Sequence, residues 1–342
     1  MKLVTIDVHS NVCTAGIFHG KGGQMFLIKK QVLPTTIPDL KEFLSSVPGK
    51  PVLLIEEGPL ASWLKRHLQH LVRKFIVTNP RRNALIYSDS DKDDFKDLTD
   101  LATIYATKAY KEVYHTDDLT RQQFKDLILH YHDHTRISAS VKSKIKALFR
   151  AYGIRPQGDA ILTCPDPWIK KLAQETDPSI ARDLIMLLDG NEHIRTRIIK
   201  QMRTQSYSYS VIKRFQDIPG IGLIISCSFF TIIDTPWRFK SMPAVQKYCG
   251  LAVVNKSSNG KWLSRPGLNK DCNHILKSMM ITGAHNAVRG KNVLAEYYKY
   301  HYSRGISSTA AKNHTARKMV QIMMSMWKHD TFFDPEKVHI CK

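Results

Sequence analysis

Along its first eighty residues the chain alternates short apolar runs with Gly-rich and polar punctuation. "KLVTIDV", "VCTAGIF" and "MFLIKKQVL", the last two separated by "HGKGGQ", have the composition and short period of strands and read as a three-stranded antiparallel meander. "TIPDLKEFLSSV" instead spaces Leu40, Phe43 and Leu44 at helical steps, with Pro38 near its start. "PVLLIEEG" is almost wholly apolar, as in a central strand buried on both faces. An amphipathic helix follows in "LASWLKRHLQHLV", then a strand in "KFIVTNP", then a helix opening in "SDKDDFKDLTDLATIYA" and continuing through Leu101, Ile104, Tyr105 and Ala109.

The predicted order is therefore βββαβαβα, a mixed sheet with helices on its faces, which is the order of the ribonuclease H-like fold. This α/β domain spans residues 1–115. From Thr116 to Ser206 the pattern changes to long, charge-laced stretches, "DLTRQQFKDLILHYHDHTRISASVKSKIKALFRAYG" and "SIARDLIMLLDGNEHIRTRIIKQMRTQ", apolar at three- and four-residue steps. These predict an antiparallel helical or coiled-coil arm suited to a spacer or a dimer contact. Pro and Gly in "IRPQGDAILTCPDPW" break the pattern between them. A mostly α segment, 207–335, follows.

Composition narrows the partner. A hydrophobic content of 43% and a charged content of 24% belong to a folded protein, and no run of 18 apolar residues predicts a membrane span. A cytoplasmic protein is expected. The six cysteines, Cys13, Cys164, Cys227, Cys249, Cys272 and Cys341, form no C-x-x-C pair and no zinc-finger spacing. The net charge of +21 is unevenly placed: residues 195–342 hold 24 Lys plus Arg against 7 Asp plus Glu, which is +17 of the total. A field of that sign suits phosphate backbones. The basic residues are not collected on one amphipathic helix, as a membrane surface would require.

Within this basic chain the acids of residues 89–100 stand out. Asp94 and Asp97 are three apart and share a helix face. Asp7 ends "LVTID" and Glu56 ends "VLLIE", each at the tip of an apolar strand, where an acid is costly unless paired or metal-bound. In a ribonuclease H-like sheet these strands are neighbours. The four carboxylates would then hold two hard cations about 4 Å apart, which activates a nucleophile and stabilises a leaving oxygen in phosphoryl transfer. Acids in a first helical turn also favour the helix dipole, which is the alternative for Asp94 and Asp97. Glu57, Asp91, Asp93 and Asp100 are read as solvated neighbours.

Two further features invite nucleic acid. Pro219, Gly220 and Gly222 would make a tight turn whose N–H groups face a phosphate, as in helix-hairpin-helix binders, or a simple interhelical turn. Ser258 in "NKSSNGK" sits between Lys256 and Lys261, where cations would stabilise a phosphoryl transition state; on composition alone the stretch reads as a flexible polar loop.

These residues resemble the IS110-type DEDD transposases, DNA recombinases with a RuvC-like metal-binding domain. "IDVH", "IEEGP" and "KDDFKDLTDLA" are similar to that family's Asp, Glu and K-x-D-x-x-D-x-x-x-L-A motifs, which places the tetrad at Asp7, Glu56, Asp94 and Asp97. "IPGIGLIIS", "RFKSMPAVQKYCGLA" and "SSNG" match its C-terminal motifs, so the resemblance spans nearly the whole chain. "LNKDCNHILK" departs from it at Cys272, where Gly is usual, and at Lys277, where Arg is usual. The resemblance implies Ser258 as nucleophile, with Ser257 beside it as the other serine of the motif. It also implies Mg2+, two ions, on the tetrad, and a structured noncoding guide RNA that selects donor and target DNA. Gly220, Gly222, Lys256, Lys261 and Lys270 are the expected nucleic-acid contacts. A homodimer or homotetramer is expected, since recombination engages two duplexes and four strands. The alternative is a metal-dependent RuvC-like nuclease of the junction-resolvase type, in which water attacks and the serine is idle.

Overall fold

The computed structural model describes residues 2–80, 94–254, 257–258, 261–262 and 267–338. They divide into two compact units, 1–119 and 120–342.

The first unit is built on a five-stranded sheet: β1 (Lys2–Val8), β2 (Val12–Lys21), β3 (Gln24–Pro34), β4 (Val52–Glu56) and β5 (Lys74–Thr78), in the order β3-β2-β1-β4-β5. β1, β2 and β3 pair antiparallel, as the meander requires, while β1–β4 and β4–β5 are parallel. Helix α1 (Ile37–Ser46) starts where Thr36 accepts from the Asp39 N–H, with Pro38 in the first turn, where its missing N–H costs nothing. With α2 (Ala61–Leu68) it covers one sheet face, where Leu40, Phe43, Leu44, Leu64 and Leu68 pack on Val4, Ile6, Leu53, Ile55 and Val77. Helix α3 (Asp94–Ala106) covers the other face. Its Leu98, Leu101 and Ala102, at steps of three and one, pack on Leu3, Val52, Leu54 and Ile76.

Strand alternation explains this division, because residues two apart share a face. Leu3, Thr5 and Asp7 therefore form one row of β1, and Val52, Leu54 and Glu56 the matching row of β4. Both rows belong to the side on which α3 lies. The hydroxyl of Thr5 fixes the helix there by donating to the Leu98 carbonyl at 3.2 Å.

The second unit opens with α4 (Leu119–Ala151), 33 residues and about 50 Å long at 1.5 Å per residue. Two short helices follow, α5 (Ala160–Thr163) and α6 (Asp166–Leu172), in the stretch where the sequence showed only breaks. They are too short to display a period, but Ile161 and Leu172 bury against Val141, Ile145 and Phe149. Helix α7 (Ser179–Ser206) then returns along the arm, burying Ala181, Leu188, Asn191, Ile198 and Met202. Asn191 is satisfied in this seam: its Nδ2 donates to the His134 carbonyl at 2.9 Å and to Ser138 Oγ at 2.7 Å.

The rest of the unit is α8 (Ser210–Phe215), α9 (Leu223–Ile233), α10 (Met242–Tyr248), the short strands β6 (Val253–Val254), β7 (Ser257–Ser258), β8 (Lys261–Trp262) and β9 (Gly267–Leu268), then α11 (His274–Ala287), α12 (Val293–Ser303) and α13 (Ser308–His329). Helix α9, apolar all round, is buried from Ile225 to Ile233, as such a helix must be. Its core continues into the root of the arm through Phe124, Ile128, Ile198 and Met202. There His132 is buried with Nε2 2.9 Å from Ser228 Oγ. Among the described residues no helix is long and apolar enough to cross a membrane.

Candidate functional site

The carboxylates sit where the sheet topology brings strand tips together. In the parallel β1–β4 ladder Ile6 pairs with Ile55, so Asp7 and Glu56 are the next residues on adjacent strands, about 4.8 Å apart in backbone spacing. Both lie in the rows facing α3. On that helix Asp97 directly precedes Leu98, whose carbonyl is bound by Thr5, two residues before Asp7 on the same face. Backbone architecture thus brings Asp7, Glu56 and Asp97 to one end of one sheet face. Asp94 opens α3, and its side chain lies outside the described residues, as do Asp91 and Asp93. Among the described residues no group of three or more His, Cys, Asp or Glu side chains is gathered tightly enough to hold a metal ion. Asp7 faces His9 instead, with Nε2 3.0 Å from Oδ2.

Beside these strand tips is an arrangement the sequence did not announce. Glu57 is not a free solvated acid: its Oε2 lies 2.6 Å from His115 Nε2, and His115 Nδ1 lies 2.6 Å from Ser62 Oγ. Lys65 Nζ donates to the His115 carbonyl at 3.0 Å and pairs with Asp117 at 3.2 Å. The chain after α3 is thereby tied to the tip of β4 and to the start of α2. Glu57 and His115 are 58 residues apart, so no local spacing could have paired them.

The glycine turn faces inward at one position and outward at the other. Gly220 has φ +86, and a Cβ there would lie 2.3 Å from the Gly283 carbonyl and 2.7 Å from the Ala287 nitrogen. Close approach to α11 therefore requires glycine, and it is packing rather than an open phosphate cradle. Gly222 is exposed, opens α9 without a side-chain cap, and would meet nothing within 4 Å of an added Cβ. First-turn N–H groups of α9 are the part of this turn able to meet an anion.

Ser257 and Ser258 lie in a paired strand rather than a loop. Ser258 stands opposite Lys261 and Ser257 opposite Trp262 in the antiparallel pair β7–β8, and outside it Val253 and Val254 pair with Leu268 and Gly267. Lys256 lies outside the described residues, as do the side chains of Ser257, Ser258 and Lys261. The root of this ribbon is fixed from several sides. Arg317 of α13 donates through Nε to the Leu251 carbonyl at 2.7 Å, and the Asn269 N–H donates to the Ala252 carbonyl at 2.9 Å. Asn269 is buried, and its Nδ2 reaches the Lys247 carbonyl at 3.2 Å. Lys270, the next residue, is exposed. Gly250, at φ +68, would bring an added Cβ within 2.5 Å of Cys272 Sγ and 2.8 Å of Lys277 Cδ. Cys272 and Lys277 thus flank one glycine, and Lys277 Nζ donates to the Asn269 carbonyl at 3.0 Å. Burial pushes the neighbouring Cys249 thiol up to about 12, so it is no nucleophile.

Residues 212–299 match the model of the Transposase IS116/IS110/IS902 family. This stretch runs from within α8 into α12 and contains the glycine turn, the serine ribbon and Lys270. It bears out the resemblance for the C-terminal motifs, which lie within the matched residues. No match to the chain is found among curated proteins.

Proposed function

From that family match we propose that the chain is a DNA transposase that cuts and rejoins strands through a covalent serine–DNA link at Ser258. The observation that carries the reading is the match over residues 212–299, which includes the serine ribbon. The carboxylates at the tips of β1 and β4 and on α3 support it from the other unit. Asp7, Glu56, Asp94 and Asp97 would hold Mg2+, two ions by the chemistry of the donor set, because oxygen ligands on separate elements suit hard cations. When bound, the metal would supply charge neutralisation to a phosphate ester lying at these carboxylates.

The serine step conserves the phosphodiester. The Ser258 oxygen–phosphorus bond forms as a backbone phosphorus–oxygen bond breaks, and the serine proton goes to solvent or to the leaving oxygen. Attack by a second strand's hydroxyl reverses the exchange and frees the serine. No high-energy cofactor is required. Lys261, opposite Ser258 in the ladder, supplies positive charge beside the reacting phosphate. Donor and target DNA would be chosen by base pairing to a structured noncoding guide RNA. That suits a chain with +17 of its charge in residues 195–342 and no zinc finger to read bases. Two duplexes and four cutting sites call for a homodimer or homotetramer.

The test is to trap protein on DNA under denaturing conditions. Ser258→Ala should bind nucleic acid normally and form no covalent adduct, whereas Ser257→Ala should still form it. An adduct that follows Ser257 moves the nucleophile by one residue. DNA cut by both variants without any adduct replaces this reading with a water-using nuclease.

A further inference from the structure

Helices α12 and α13 carry a surface that neither the carboxylates nor the serine uses. On α12, Tyr298 and Tyr302 stack with centroids 5.8 Å apart and planes 10° apart, and Tyr302 is 55% exposed. Beside them His301 stacks on His314 of α13 at 4.6 Å, and Tyr297 meets His301 edge-on at 4.7 Å. Lys318 Nζ lies over the Tyr297 ring at 5.7 Å. Residues 289–318 contain seven Lys plus Arg and a single acid, Glu296. Rings in a half-exposed row, edged by cations, do not make a protein core. That row presents flat faces and positive charge together.

We infer that this α12–α13 surface binds unpaired nucleotides, with bases stacking on the tyrosine–histidine row and phosphates meeting Lys318 and its basic neighbours. Charge complementarity selects a polyanion, and the exposed ring faces select one whose bases are not already stacked in a duplex. Helix α13 is also tied to the stretch that precedes the serine ribbon. Arg317, between His314 and Lys318 on the same helix, donates to the Leu251 carbonyl at the ribbon's root. This inference rests on the recombinase reading only in its choice of nucleic acid; the strand could be cut DNA opened near the scissile phosphate or a single-stranded part of a guide RNA.

Binding of the full-length protein to labelled single-stranded DNA, single-stranded RNA and duplex DNA of equal length tests it. Tyr302→Ala should weaken single-strand binding about tenfold or more, the range for losing one base–aromatic stack, and leave duplex binding within about twofold. Tyr302→Phe keeps the ring and should bind like the parent. Lys318→Ala should lower the slope of log affinity against log salt by about 0.7 on single strands. Loss confined to DNA assigns the surface to the cut strand, and loss confined to RNA assigns it to the guide. Single-strand affinity unchanged in both Tyr302→Ala and Tyr298→Ala overturns the inference. Failure here with the Ser258-dependent adduct intact leaves the recombinase reading standing, and loss of that adduct chemistry with stacking intact removes only the latter.

Discussion

Burial of His132 makes the second unit acid-sensitive in a way one substitution isolates. The side chain is 7% exposed, and its Nε2 meets Ser228 Oγ at 2.9 Å, which ties the root of α4 to the buried helix α9. Desolvation lowers its pKa from 6.5 to about 4; Asp133 opposes the shift and Arg136 adds to it. The folded state thus prefers the neutral ring, while the unfolded chain takes up a proton near pH 6.5. Between pH 6.5 and 4 the unfolded state binds more protons, so stability falls as pH falls through that window. Below about pH 4 both states are protonated and the loss is complete. The full shift amounts to about 3 kcal/mol, of which about 2 kcal/mol is lost between pH 7 and pH 5. Urea unfolding followed by tryptophan fluorescence reads this unit, since Trp168, Trp237, Trp262 and Trp327 lie in it and only Trp63 in the other. His132→Gln keeps a partner for Ser228 and cannot titrate. Its midpoint should fall less between pH 7 and pH 5 than that of the parent, with other titrating groups cancelling in the comparison. Equal pH slopes in the two proteins would refute the argument.

Other substitutions discriminate between packing and chemistry. Gly220→Ala should destabilise the second unit by about 2 kcal/mol or more, because the new Cβ meets α11 backbone at a positive φ, while Gly222→Ala should stay within about 0.5 kcal/mol; equal thermal shifts would contradict the assignment. Asn191→Ala should cost about 1–3 kcal/mol by stripping partners from His134 and Ser138, read as a lowered denaturation midpoint, and an unchanged midpoint would remove Asn191 as the polar lock of the arm. If the proposed Mg2+ site holds, Asp97→Asn should abolish strand cutting and retain duplex binding; cutting within about tenfold of the parent would take Asp97 out of that proposed site.

Much of the first unit was legible because its signals are local. Alternation in "KLVTIDV" and "VLLIE" marks each strand, and an acid closing an apolar strand is conspicuous in any sequence. The helical steps of Leu98, Leu101 and Ala102 likewise give α3 its buried side. What alternation cannot state is pairing: that β1 lies beside β4 depends on a crossover of some forty residues, and only the ladder brings Asp7 level with Glu56. His115 stayed hidden for the same reason, since nothing near it in sequence points to Glu57 or Ser62. The serine strand was missed for the opposite reason, because two paired residues are too short to show a period.

Cys272 and Lys277 show how sequence and structure count differently. Along the chain they are two separate departures from a motif, and each weakens the match by one position. In space both press on Gly250, whose φ of +68 and lack of a Cβ let them approach, and Lys277 spans to the Asn269 carbonyl. Cys272 fills room that a glycine would leave open, and the lysine stem packs against the same glycine. The two residues therefore meet at one glycine at the root of the serine ribbon. Asn269 joins that root to Ala252 and Lys247 through its own backbone and side-chain bonds, and accepts from Lys277 through its carbonyl.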